Sequence, residues 1–223
     1  MLVKPHVFEF LDSYGKYANG EILQNLQKQA YAENLPIISR EVAGFLSILL
    51  NIHKPRRILE IGCAVGFSAA LFLETLPNAQ ITTIERFDYM IVRAKENFDN
   101  LGVSDKIRLL ERDAAEALPR LVDDGEKFDF VFLDAAKGQY MRFLPYILDL
   151  LESGGLFCVD DVMQKGTLMR ELNDIPRRQR TTHRNLKEFL DTVMEEGCLK
   201  SIILPIGDGL LVSVKENGYE TDG

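Results

Sequence analysis

Histidine and cysteine are scarce in this chain of 223 residues, with three of each. Cys63, Cys158 and Cys198 form no C-x-x-C pair, which excludes a disulfide scaffold and points to a reducing compartment. His6, His53 and His183 are scattered as widely, so no His-rich or Cys-rich cluster offers a zinc site. The Ser-His and Cys-His pairings of nucleophilic catalysis are missing too. Long apolar runs are absent: the longest, Val42 to Leu50, is about half of a membrane span. With no apolar stretch leading to a small-residue cleavage site at the N-terminus, the expectation is a cytoplasmic protein without membrane contact. Basic residues are in the minority, 26 Lys and Arg against 34 Asp and Glu, giving a net charge of −8 and a pI near 5.0. That balance excludes a generally basic nucleic-acid binder.

What is present is core material: 46% of the residues are hydrophobic and 27% charged. No repeat, linker or low-complexity segment divides the chain, so a single domain over 1–223 is expected, with helices over 1–50 and an α/β core over 55–215. Residues 4 to 34 read as two helices broken near Gly15 to Gly20. Ser39 is placed to cap a third, in which Val42, Phe45, Leu46, Leu49 and Leu50 repeat with helical period. From Arg57 onward, short apolar strands alternate with helices. Strands are expected at Ile58–Ile61, Ile81–Ile84, Ile107–Leu110, Phe128–Leu133, Leu156–Val159, Ser201–Leu204 and Leu210–Val214. Helices are expected at Phe67–Leu76, Asp88–Leu101, Tyr140–Leu151 and Thr182–Glu196. Such alternation requires right-handed crossovers and a mostly parallel sheet. The PIGDG turn is too short for a crossover, so the last two strands pair antiparallel. The expected fold is a Rossmann-like α/β domain, its seven-stranded sheet carrying one reversed strand and its first helices packed outside the sheet.

In such sheets ligands bind beyond the carboxyl ends of the strands. Gly62 and Gly66 follow the first strand with the spacing G-x-x-x-G, and Ala64 stands where a pyrophosphate-binding run has its middle glycine. This favours a nucleoside ligand without phosphates, although two glycines can equally serve only to turn a chain. Glu85 ends the second strand, where a carboxylate suits a ribose diol. Asp113 and Ala114 follow the third, where an acid can accept from an adenine amino group. An adenosyl cofactor, S-adenosylmethionine, fits all three. At the next two strand tips stand Asp134, with Lys137 three residues on, and the pair Asp160-Asp161. Three carboxylates in one pocket call for a cation, and all-oxygen ligation suits Mg²⁺. The expected reaction is methyl transfer to a hydroxyl, with Lys137 accepting its proton. Each residue also has a plainer reading, as a strand-end cap or a solvated lysine.

The runs ILEIGCAVGFSA, RDA, FLDAAK, VDD and LPIGDGLLV together resemble the metal-dependent O-methyltransferases of the catechol type, over nearly the whole chain. The resemblance implies Asp134, Asp160 and Asp161 as metal ligands and Lys137 as base. It implies Ser68, Glu85, Asp113 and Ala114 as cofactor contacts, with the PII segment ending at Ile38 closing over the cofactor. Asp161 stands where that family usually has Asn, and Cys63 where Thr is common.

The charge is unevenly spread. Between Gln164 and Lys187 seven basic residues face two acidic ones, a net +5 that leaves −13 on the rest of the chain. A charge run is often just a solvated face. Here FLDAAKGQY with the cluster Arg177, Arg178 and Arg180 is similar to the bacterial enzymes that methylate 5-hydroxyuridine at the tRNA wobble position. That resemblance makes tRNA the expected substrate and the three arginines its contacts. The alternative is a small catechol or phenolic acceptor. A domain that binds cofactor or RNA without catalysis is the reading from another class, disfavoured by the presence of all three aspartates and Lys137. The helices outside the sheet suggest a homodimer.

Overall fold

The computed structural model describes residue 10 and residues 20–216. The first helix expected over residues 4 to 34, and its break near Gly15, lie almost wholly outside the described residues. The elements are α1 (Glu21–Ala32), α2 (Arg40–His53), β1 (Arg57–Ile61), α3 (Phe67–Thr75), β2 (Gln80–Glu85), α4 (Asp88–Leu101), β3 (Ile107–Glu111) and α5 (Ala114–Asp123). They continue with β4 (Phe128–Leu133), α6 (Tyr140–Leu150), β5 (Leu151–Val159), α7 (Arg180–Glu195), β6 (Leu199–Leu204) and β7 (Leu210–Lys215). Ser39 caps α2 as expected, its Oγ accepting from the Val42 N–H at 3.3 Å.

The seven strands form one sheet in the order β3-β2-β1-β4-β5-β7-β6. β1 to β5 run parallel, and β7 lies antiparallel between β5 and β6. The strand order reverses direction between β1 and β4, and at that switch point the crossovers diverge and leave a crevice above the strand ends.

Because side chains alternate along a strand, each face of the sheet takes its own set. Ile58, Phe130, Phe132 and Cys158 face α1 to α4, while Leu59, Val131, Leu133, Phe157 and Val159 face α5, α6 and α7. Phe72 of α3 meets Phe130 and Phe132 edge-on, each at 5.6 Å between centroids. The N-terminal helices lie outside the sheet, as expected, and pack on one of its faces. Val42, Leu46 and Leu50 of α2 share one core cluster with Ile58 and Phe130. Two differences have local causes. α5, not expected from the sequence, forms because Asp113 caps the run AAEALPRLVD, whose buried stripe is Ala114, Ala117, Leu118 and Leu121. β5 begins at Leu151 and not at the expected Leu156, because Gly154 and Gly155 take up a register shift opposite Phe128 to Phe130 and do not end the strand. Among the described residues no helix is long and apolar enough to cross a membrane.

Candidate active site

The backbone ladder carries the chain past the end of each central strand. The Gly62 N–H donates to the Ile84 carbonyl at 3.0 Å, Asp134 N–H to Ile61 O at 2.9 Å, and Asp160 N–H to Leu133 O at 3.1 Å. These bonds fix Gly62, Asp134 and Asp160 side by side at the switch point. Gly62 has φ +100°, and a Cβ there would stand 1.9 Å from the Asp134 carbonyl oxygen. Only glycine lets the β1 loop lie against the β4 loop so closely.

Above this floor opens a cavity of about 430 Å³, within the range of small-molecule sites. Gly62, Glu85, Asp113, Ala114, Asp134, Lys137 and Asp161 line it, so seven of the residues expected from the sequence meet in one space. Pro36, Phe87, Met90, Arg112 and Phe143 also line it and were not anticipated. The signal for Pro36 was present in the expected PII closure: Pro36 reaches the cavity, whereas Ile38 is buried in the core beside Val42.

Glu85 is held on both carboxylate oxygens. Oε1 accepts from the Arg86 and Phe87 N–H groups at 2.8 and 3.0 Å, and Oε2 accepts from the Ala64 N–H at 2.9 Å. This carboxylate therefore stitches the β1 loop to the β2 end while still bordering the cavity. Asp113 caps α5 through the Ala115 N–H at 2.8 Å and pairs with Arg86 at 2.8 Å. Those two interactions hold its carboxyl below the usual range.

Gly66 and Ser68 do not line the cavity. Gly66 caps α3 at φ +83°, and Ser68 Oγ donates to Glu60, a carboxyl on β1 with 0% exposure. Thr83 Oγ1 donates to the other Glu60 oxygen at 2.5 Å. Burial pushes the Glu60 carboxyl up to about 7, against the lowering effect of these two hydroxyls.

At the other end, Lys137 begins a short helical turn that Tyr140 and Asn185 hold in place. The Tyr140 hydroxyl donates to the Ala135 carbonyl at 3.2 Å, and Asn185 Nδ2 donates to the Gly138 carbonyl at 3.2 Å. Lys137 Nζ lies 3.5 Å from Asp161 Oδ2, with side chains 16% and 49% exposed respectively. Burial lifts the Asp134 carboxyl to about 6 and, aided by the Asp134 charge, the Asp160 carboxyl to about 8.

The expectation of a Mg²⁺ site is corrected by this geometry. Among the described residues no three His, Cys, Asp or Glu side chains form a group that could hold a metal ion. Asp160 is buried away from the cavity, with Oδ1 accepting from the Asp161 N–H at 2.8 Å. Asp161 has a left-handed backbone, φ +56°, and directs a half-exposed carboxylate at Lys137. Asp134, Asp160 and Asp161 thus act on one another's charge without forming a ligand set.

Arg177, Arg178 and Arg180 do not line the cavity either. Arg180 is spent on the chain itself, with Nε donating to Ile175 O at 3.1 Å and Nη2 to Asn173 O at 3.2 Å. It pins the segment leading into α7.

Comparison with known proteins agrees with this geometry. The family described as O-methyltransferase matches residues 13–216. A catechol O-methyltransferase of Niastella koreensis is 26% identical, over 93% of this chain and 97% of its own. A caffeoyl-CoA O-methyltransferase of Populus kitakamiensis is 28% identical, over 74% of this chain and 72% of its own. Among solved structures, the SAH-bound methyltransferase PaMTH1 of Podospora anserina superposes with a TM-score of 0.83 at 25% identity, covering 96% of this chain and 97% of that one. The relatives are named for catechol and caffeoyl-CoA acceptors, which overturns the expectation of a tRNA wobble uridine.

Proposed function

The chain belongs to the O-methyltransferase family, and from that premise we propose that it methylates a hydroxyl of a small catechol or phenolic acceptor, using S-adenosylmethionine. The observation that carries the proposal is one cavity of about 430 Å³ with Glu85 and Asp113 at one end and Lys137, Asp134 and Asp161 at the other. The SAH of the Podospora structure is the demethylated product of that donor, and the catechol and caffeoyl-CoA acceptors of the relatives are phenols.

The residues present fit the donor. Glu85, already rigid through three backbone bonds, keeps lone pairs for a ribose diol, and the Gly62 floor leaves no side chain between backbone and ligand. When bound, S-adenosylmethionine supplies an electrophilic methyl group on a sulfonium. Lys137 takes the proton from the acceptor hydroxyl, and Asp161, 3.5 Å away, stabilises the ammonium that results. Asp134, buried beside them, orients the acceptor hydroxyl by hydrogen bonding. Phe143 and Met90 give the cavity apolar wall against which an aromatic acceptor and the donor exclude water. Ile48 and Ile52, one turn apart on α2 and 63% and 75% exposed, give the expected homodimer an apolar contact face.

The test is to incubate the protein with S-adenosylmethionine and, separately, catechol, caffeic acid and caffeoyl-CoA, and to follow methylated product by mass spectrometry. Methyl ether formation on at least one acceptor is expected. SAH binding without methylation of any phenol overturns the substrate assignment.

A further inference from the structure

The PIGDG run between β6 and β7 turns the chain, and its Asp208 makes a bond that the turn itself does not need. Past the end of β5 the backbone is left-handed at Asp161, Gln164 and Lys165, with φ of +56°, +48° and +55°. A residue with a Cβ adopts that conformation at a cost, so a cluster of them persists only where the surroundings fix it. The turn supplies the fixing. The Val162 N–H donates to the Gly209 carbonyl at 3.0 Å, and the Met163 N–H to the Asp208 carbonyl at 2.8 Å. A side chain makes the third bond: the Asp208 carboxylate accepts from the Lys165 N–H. The turn is also a firm support, wedged between this segment and α2. A Cβ at Gly209 would stand 2.5 Å from Met163 Cγ, and one at Gly207 2.8 Å from Val42 Cγ2. Burial raises the Asp208 carboxyl above its ordinary value, the Lys165 N–H opposes the rise, and the charges of Asp161 and Lys137 both reach it.

We infer that Asp208 is a positioning residue for the methyl transfer: by accepting the Lys165 N–H it fixes the left-handed segment that turns Asp161 toward Lys137. The inference rests on the reading of Lys137 as proton acceptor and of Asp161 as the partner of its ammonium. Asp161 Oδ2 lies 3.5 Å from Lys137 Nζ on a side chain that is 49% exposed, so its direction is set by the backbone and not by close packing. The Gln164 N–H donates back to the Asp161 carbonyl at 3.3 Å, which makes a change at Gln164 and Lys165 felt at Asp161. Without the carboxylate, the two backbone bonds still hold Val162 and Met163, but Gln164 and Lys165 are released toward less costly dihedrals. The role requires an acceptor oxygen at one place. It does not require a charge.

The experiment measures kcat and KM for a phenolic acceptor, and SAH affinity by calorimetry, in Asp208→Asn, Asp208→Glu and Asp208→Ala. Asparagine places an amide oxygen where the carboxylate oxygen was, so its kcat should stay near wild type. Glutamate keeps the charge but carries its oxygens one methylene farther. It should lose kcat together with alanine, by about 10²-fold for a displacement on the order of an ångström. Acceptor KM and SAH affinity should stay near wild type in all three, because the turn forms no wall of the cavity. Asparagine at position 161 tolerates the left-handed backbone and lacks the charge. In an Asp161→Asn background, Asp208→Ala should therefore cost little more, since its effect runs through Asp161. Asparagine and glutamate falling alike, kcat unchanged in Asp208→Glu, a parallel fall in SAH affinity, or full additivity with Asp161→Asn overturns the role of Asp208. Where Asp208→Ala does not fold, the order of asparagine over glutamate decides alone. A wild type that methylates no phenol, or a Lys137→Met variant as active as the wild type, overturns the reading of Lys137 itself.

Discussion

Glu60→Gln, examined without cofactor, gives the sharpest physical test of the sheet interior. Glu60 has no exposed surface, and its two oxygens are met by the Ser68 and Thr83 hydroxyls. Burial lifts its carboxyl from 4.5 to about 7. The native state therefore holds the proton more tightly than the unfolded chain does. Below pH 4.5 both states are protonated and the group costs nothing. As pH rises from 4.5 to about 7, only the unfolded chain releases the proton, so stability falls; above that the penalty is constant. A shift of this size corresponds to about 3 kcal/mol. Glutamine fills the same volume without the charge, and its amide can meet one hydroxyl as acceptor and the other as donor. Urea unfolding of both proteins should show the variant gaining on the wild type by about 3 kcal/mol across that window. A stability difference that stays flat with pH would refute the reasoning, because a group without a shifted proton affinity cannot generate a slope.

Four other outcomes are expected. Lys137→Met should lower kcat toward a phenolic acceptor by about 10²–10⁴-fold while leaving SAH affinity near wild type, measured by steady-state kinetics and calorimetry. Gly62→Ala drives a Cβ to 1.9 Å from the Asp134 carbonyl, so its thermal midpoint and SAH affinity should both fall; a variant with wild-type values would show that the two loops separate freely. Buried Cys63 and Cys158, with thiols raised by burial, should resist a disulfide reagent until the protein unfolds, whereas partly exposed Cys198 reacts in the native state. Ile48→Glu with Ile52→Glu should convert a sedimenting dimer to a monomer; a wild type that sediments as a monomer would remove the assigned contact face.

The parallel sheet was legible because its strands are apolar and punctuated, and a known topology then predicts which strand tips meet. Glu85, Asp113 and Asp134 were found in this way, since each is an acidic residue at or just past the end of a strand. What could not be read is the direction a side chain takes after the strand ends. Asp160 and Asp161 are neighbours in sequence, yet one turns into the core and the other toward Lys137, owing to the left-handed backbone at Asp161. Ser68 sits in the first turn of α3 and faces back to the buried Glu60, eight residues upstream, and no polar pattern in the sequence announces that pairing; only burial of the strand reveals it. α5 was missed because it is short and carries Pro119 inside it. The arginines of the segment before α7 misled for a different reason. Charge counts say where cations are dense, but not that Arg180 is occupied by the carbonyls of its own loop.

The contact between Gly62 and the Asp134 carbonyl has a consequence for how this enzyme can diversify. Donor floor and acid-bearing loop are in effect a single piece, with no slack of even one methyl group between them. Neither can be remodelled without moving the other. New acceptors are therefore more readily gained at the walls that helices supply, Met90 of α4 and Phe143 of α6, than at this floor. The chemistry is anchored on the sheet, and its choice of partner is left to the side chains that the helices bring over it.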